Sequence, residues 1–194
     1  MTPEEVLKQV QREFPQIQRI GGETPHPEEV RGYLTLRVSS QDMFGLCKLL
    51  KEKLGFIYLD MITAVDWKGP VDPRGYITDP NPNPFLPEGA TPQMAPSNPT
   101  PGVNYRETIQ MVYLMTSLEK RAKIFLKVDL SRTSPKVSSL ISLFHAADWQ
   151  EREVYDLLGI QFEGHPWLKK ILTPDFIAGN PLRKDYVHQK DRFD

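Results

Sequence analysis

Between residues 69 and 104 lie ten of the chain's eighteen prolines, with repeated Asn-Pro pairs and almost no apolar periodicity. Proline removes a backbone donor and fixes φ, so neither a helix nor a central strand can form there. Any core in this 194-residue chain must therefore be built from the residues on either side. One well-buried domain plus an appendage suits the length, since single domains run about 100–200 residues. A proline-rich excursion loses less backbone freedom on ordering than other loops do. It suits a strap across a neighbouring protein surface, with folding back on its own domain as the plainer alternative.

The flanking sequence is periodic. Glu4 to Phe14 reads as an amphipathic helix, with Thr2 as N-cap, Pro3 in the first turn and Val6, Leu7, Val10 and Phe14 in one stripe. Leu34, Leu36 and Val38 alternate with Tyr33, Thr35 and Arg37, as a half-buried strand does. Met43, Leu46, Cys47, Leu50 and Leu54 recur at helical spacing, and Gly55 stands where a C-terminal cap belongs. Phe56 to Asp66 predicts a second strand with Ile57, Leu59, Met61, Thr63 and Val65 on one face. Ile109 to Met115 and Ile124 to Leu130 predict two more, joined through Ser117-Leu118-Glu119-Lys120 as a hairpin. The class is α+β: a mixed or antiparallel sheet covered by helices, with the proline-rich insertion and an extended C-terminal tail. The expected division is an α+β domain over 1–145 and a partner-binding helix and tail over 146–194.

Composition excludes several functions. Lysine plus arginine, 24, nearly balances aspartate plus glutamate, 25, so no broad field attracts nucleic acid. No apolar run approaches the ~20 residues that span a bilayer, and the N-terminus lacks the pattern of a secretory leader. The single cysteine, Cys47, sits among leucines as a small core residue rather than a nucleophile. It can form no internal disulfide and cannot hold an iron–sulfur cluster, which usually needs four thiolates.

The richest stretch runs from Ala146 to Tyr186. Lys136 to Leu158 contains two helical stretches, but one uninterrupted helix would put Asp148 and Glu151 in its apolar stripe. A bend near His145 and Ala146 relieves the conflict and gives Ala147, Val154, Leu157 and Leu158 a buried face of their own. Asp148, Arg152 and Asp156 then form an i, i+4, i+8 charge ladder on the opposite face. Exposed pairs of that kind contribute only ~0.3–0.5 kcal/mol each, so the ladder gains weight only if buried against a partner. Glu151 and Glu153 point apart on a helix and cannot act as one acid/base pair. His145 with Asp148 and Glu151, or His165 with Glu163, offers candidate metal ligands without a recognised spacing. His165 lies between Gly164 and Pro166 in a turn. Pro181-Leu182-Arg183-Lys184-Asp185-Tyr186 has no periodicity, and no glycine-rich loop is present to cradle a nucleotide phosphate.

Glu151-Arg152-Glu153, Tyr155-Asp156, Gly159, Gly164-His165-Pro166, Ile171-Leu172 and Pro181 through Tyr186 together resemble the hallmark of the thirty-kilodalton subunit of respiratory complex I, the proton-pumping NADH:quinone oxidoreductase. The resemblance is near-continuous from Asp148 to Tyr186, whereas the proline-rich insertion departs from compact members. It implies a subunit without catalytic residues or cofactor of its own, with iron–sulfur clusters, flavin and quinone on its partners. Those partners are other subunits of the hydrophilic arm, above all the quinone-site subunit and its cluster-bearing neighbour, on the cytoplasmic face of the membrane. The expected partner interface is Asp148, Glu151, Arg152, Glu153, Tyr155, Asp156, Gly164, His165, Pro166, Arg183, Lys184 and Asp185. The related subunit of a membrane-bound energy-converting hydrogenase is an alternative machine. A stand-alone metal-dependent hydrolase using His145, Asp148 and Glu151 is an alternative of another class.

Overall fold

The computed structural model describes residues 2–22, 26–30, 32–69 and 104–186. The proline-rich strap, apart from its flanks, lies outside them. Helix α1 (Pro3–Glu13) starts with a capping box, in which Thr2 Oγ1 accepts from Glu5 N–H and Glu5 reaches back to Thr2 N–H. Strand β1 (Gln18–Arg19) is too short to leave a periodic signal. After it come β2 (Leu34–Arg37), helix α2 (Met43–Glu52), β3 (Tyr58–Asp66), β4 (Thr108–Ser117) and β5 (Ala122–Ser131). Gly55, at φ +69°, turns the chain after α2 so that Phe56 N–H bonds the Leu50 carbonyl.

The five strands form one mixed sheet in the order β1-β2-β5-β4-β3. The β4–β5 hairpin is its centre, β2 runs parallel to β5 and β3 antiparallel to β4. One face carries Leu36, Met111, Tyr113, Leu126 and Val128, and the buried stripes of all three helices join that face in one cluster. The expected phase of β3 is corrected. A bulge at Asp60 breaks the register between Leu59 and Met61, which moves the core positions from Leu59 to Ile62 and leaves Ile57 and Val65 exposed. One extra residue exchanges the two faces of a strand.

Lys136–Ser138 is a strand, β6, rather than the start of a helix, and it pairs in parallel with β7 (Gln161–Glu163). Between them a turn leads into a single helix, α3 (Ala147–Leu158), so the chain does break where Asp148 and Glu151 demanded it. Ala147, Val154 and Leu158 of α3, with Ile160 and Phe162, belong to the same cluster as the sheet. The core thus continues across the expected boundary at residue 145. Cys47 is fully buried within it, and burial pushes its thiol pKa far up, away from any nucleophilic use.

On the opposite face of the sheet Glu28 gathers the charges. Its carboxylate accepts from Arg106 Nη1 at 2.9 Å, Arg37 Nη2 at 3.0 Å and Gln110 Nε2 at 2.7 Å. Lys127 Nζ donates to its carbonyl at 2.6 Å. Burial raises the acid's pKa, but these donors and the two guanidinium charges outweigh it and hold the pKa at about 2 against an ordinary 4.5. A depressed carboxylate pKa contributes stability that is complete above about 4.5 and disappears as pH falls towards 2. Glu28→Gln should therefore melt below the parent at pH 7, with the gap closing as pH falls through that window. Thermal unfolding of both proteins from pH 7 to pH 2 measures it.

Candidate functional site

Helix α3 organises the C-terminal segment, and two of its acidic residues, Glu151 and Asp156, face inward. Glu151 is fully buried: Ser139 Oγ donates to its Oε2 at 2.6 Å and Leu140 N–H to its Oε1 at 2.7 Å. It thereby pins the turn after β6. Burial dominates its titration and, helped by the Asp148 charge, lifts its pKa to about 7 despite those two donors. Asp156, also fully buried, accepts the backbone N–H groups of Ile171, Leu172 and Thr173 at 3.0, 2.8 and 2.9 Å, and the Thr173 hydroxyl as well. Burial alone would raise its pKa, but these four donors reverse the sign and hold it below the usual carboxylate range.

The end of α3 is closed by the chain that returns to it. Gly159 takes the left-handed conformation, φ +75°, and Asn180 Nδ2 donates to the Tyr155 and Asp156 carbonyls at 3.3 and 2.9 Å. Leu182 N–H bonds the Leu157 carbonyl. These contacts occupy carbonyls that a helix end leaves unpaired. Further on, Asp185 pairs with Arg132, which also forks onto Asp66. Lys184 N–H donates to Asp66 at 2.9 Å, and Arg183 Nη2 donates to the Arg132 carbonyl. The Arg132 hydrogen bond is the main reason that the Asp185 pKa falls to about 2.

The ladder of Asp148, Arg152 and Asp156 does not form as ion pairs. Asp156 serves the 171–173 segment, and Asp148 Oδ1 lies 3.3 Å from the buried imidazole of His165. Arg152 is 5% exposed, and its Cζ lies over the rings of Trp149 and Trp167, 5.2 and 4.5 Å from their centroids. Of the expected interface, Glu151 and Asp156 are therefore internal and inaccessible, and Asp185 is engaged by Arg132. Glu153, Gly164, Pro166 and Lys184 are exposed, while Asp148, Tyr155 and Arg183 are half-buried. Gly164, φ +85°, makes the turn that brings His165 under α3, where its Nδ1 accepts from Trp167 N–H at 3.1 Å.

Three residues central to this arrangement, Trp149, Trp167 and Arg132, carried no assignment from sequence. The two tryptophans, exposed large apolar side chains within a polar stretch, held the available signal. Arg132 held none, because its partners are 66 residues upstream and 53 downstream. The candidate metal ligands are not brought together: His145 is exposed, Glu151 points into the core and Asp148 faces His165. Among the described residues no three His, Cys, Asp or Glu side chains form a group that could hold a metal ion.

The two buried acids lead to opposite expectations. Asp156→Asn keeps the size but loses the charge that four donors converge on, so it should cost about 1.5–3 kcal/mol and speed amide exchange at Ile171, Leu172 and Thr173. Denaturant unfolding and hydrogen exchange report both. For Glu151 the sign is reversed. A raised carboxyl pKa means that stability is complete below about 4.5 and is lost as pH rises to about 7. Glu151→Gln should gain on the parent across that window, read as the difference in Tm between pH 4.5 and pH 8.

Comparison with known proteins gives this architecture its context. Residues 36–192 match the family model "Respiratory-chain NADH dehydrogenase, 30 Kd subunit". The C subunit of the NADH-quinone oxidoreductase of Moorella thermoacetica is 36% identical over 186 residues, covering 95% of each chain. That of Geobacter sulfurreducens is 30% identical over 161 residues, covering 83% of this chain and 78% of its own. In fold, the chain resembles a trypsin-resistant fragment of Nqo5, with a TM-score of 0.54, 23% identity and coverage of 87% of this chain and all of the fragment. It also resembles a chain of an archaeal respiratory membrane complex, the membrane-bound sulfane sulfur reductase, with a TM-score of 0.61, 22% identity and coverage of 94% and 84%. The identities of those two structures carry the fold alone, whereas the family model and the sequence relatives span most of the chain: it belongs to the family of the respiratory-chain NADH dehydrogenase 30 kDa subunit.

Proposed function

We propose that this chain is a structural and assembly subunit in the peripheral arm of an NADH-quinone oxidoreductase, and that its C-terminal segment is the surface its partners cover. Five of the ten large apolar side chains exposed among the described residues, Trp149, Trp167, Leu172, Phe176 and Leu182, fall in that segment. A stretch that buries Glu151 and Asp156 and leaves five large apolar side chains outside is built to be covered. The catalytic groups, clusters, flavin and quinone then belong to neighbouring subunits, of which the quinone-site subunit and the cluster-bearing subunit beside it are the first expected. No helix among the described residues is long and apolar enough to cross a membrane, so association with the cytoplasmic face of the membrane comes through those partners. Similarity over 95% of the chain to the C subunit of an NADH-quinone oxidoreductase supports this complex over a hydrogenase.

The test is gentle detergent extraction with a tag on this chain, and then identification of the proteins that accompany it. The expected companions are oxidoreductase subunits bearing iron–sulfur clusters. Leu172→Ala combined with Phe176→Ala should leave the Tm of the free chain unchanged and lower its retention at least about tenfold, as removal of interface anchors does. Recovery of the tagged chain alone, or undiminished retention of the double variant, overturns the reading.

A further inference from the structure

A guanidinium taken out of water ordinarily meets a carboxylate, because an unpaired buried charge is costly. Arg152, 5% exposed, does not. Its Nε–H donates to the Lys169 carbonyl at 3.1 Å, and its Cζ lies over the indole rings of Trp149 and Trp167. Among the described residues no acid lies within ion-pairing distance of it, and its two Nη nitrogens have no hydrogen-bond partner. The acids one turn away on α3 are committed elsewhere, Asp148 beside His165 and Asp156 to the 171–173 segment. Those Nη atoms are not sealed in the interior. The residue keeps 5% of its surface open, beside two indoles that are themselves 66% and 55% exposed. Lys169 adds a second positive charge, with its Nζ 5.3 Å from the Trp167 ring.

The socket is held in shape before anything enters it. Trp167 N–H is bonded to His165 Nδ1, whose ring is buried against Asp148, and the Lys169 carbonyl fixes the guanidinium from below. We infer that this indole-lined fork receives one carboxylate, the side chain of an aspartate or glutamate on a partner subunit, with apolar neighbours that cover Trp149 and Trp167. The inference rests on the reading of this segment as the assembly surface. A planar fork with two parallel N–H groups matches a carboxylate bidentately, and the indoles exclude the water that would weaken the pair. The charge left unpaired in the free chain is completed in the complex, which makes Arg152 a determinant of which partner docks.

Two variants of the full chain, each expressed in the complex, test this. Arg152→Met removes a charge that has no acid partner, so the Tm of the free chain should not fall, while its retention in detergent-extracted complex should drop at least about tenfold. Arg152→Lys places an amine in the socket. A water-soluble carbodiimide should then couple that amine to an acidic residue of a partner, identified by peptide mass spectrometry. A coupled acid within this chain, such as Asp191 or Asp194, would overturn the inference, as would full retention of Arg152→Met or a lowered Tm of its free chain. If Leu172→Ala with Phe176→Ala still weakens retention in those cases, the assembly surface stands and the socket alone is lost. If that double variant is also retained, the surface reading falls with it.

Discussion

Four donors converge on the buried carboxylate of Asp156, three of them consecutive backbone N–H groups of a segment with no regular structure of its own. Such a segment has no ladder in which to satisfy its amides, and a buried amide without a partner costs on the order of 1–3 kcal/mol. One charge on α3 therefore replaces an entire strand partner. The anchored 171–173 segment leads into residues 177–182, which return to close the helix end through Asn180 and Leu182. The clasp of Arg132 on Asp66 and Asp185 then ties the last described residues to the ends of β3 and β5.

This arrangement divides the signature between interior and exterior. Two of its acids hold the chain to itself, Glu151 at the turn after β6 and Asp156 at the 171–173 segment. Trp149, Trp167 and Phe176 face outward, and Arg152 lies beside the two indoles. The guanidinium of Arg152 lies near two indoles on that helix, with no acid at ion-pairing distance among the described residues. Recognition of a partner is the role proposed for this surface, and the relatives named above are subunits of a larger oxidoreductase.

The regular elements were legible because their apolar residues repeat at the period of the backbone that carries them. Thr2 and Pro3 at the start of α1, Gly55 after α2 and the alternation of β4 and β5 are local features with local causes. Three features were hidden for equally physical reasons. β1 is two residues long, too short for an alternation to show. The bulge at Asp60 is an extra residue that nothing in the local pattern distinguishes from its neighbours. Lys136–Ser138 is a strand because β7 lies beside it, 25 residues later in register, and no local propensity announces that.

The sequence by itself determined the α+β class, a break in the chain just before α3, the burial of Ala147, Val154 and Leu158 and, through the motif from Asp148 to Tyr186, the family. Spacing placed Asp148, Arg152 and Asp156 on one helix, and there its authority ended. A 3.6-residue period states which side chains share a face, not what that face meets. Only the tertiary structure decided that Asp156 turns to three backbone amides, that Asp148 turns to His165 and that Arg152 is left between two indoles without an acid. Apart from Trp149 on the same helix, the groups that make those choices lie 15 to 17 residues further along the chain. The free energy of a buried charge is set by the partner that reaches it, and that partner arrives only when the chain folds back.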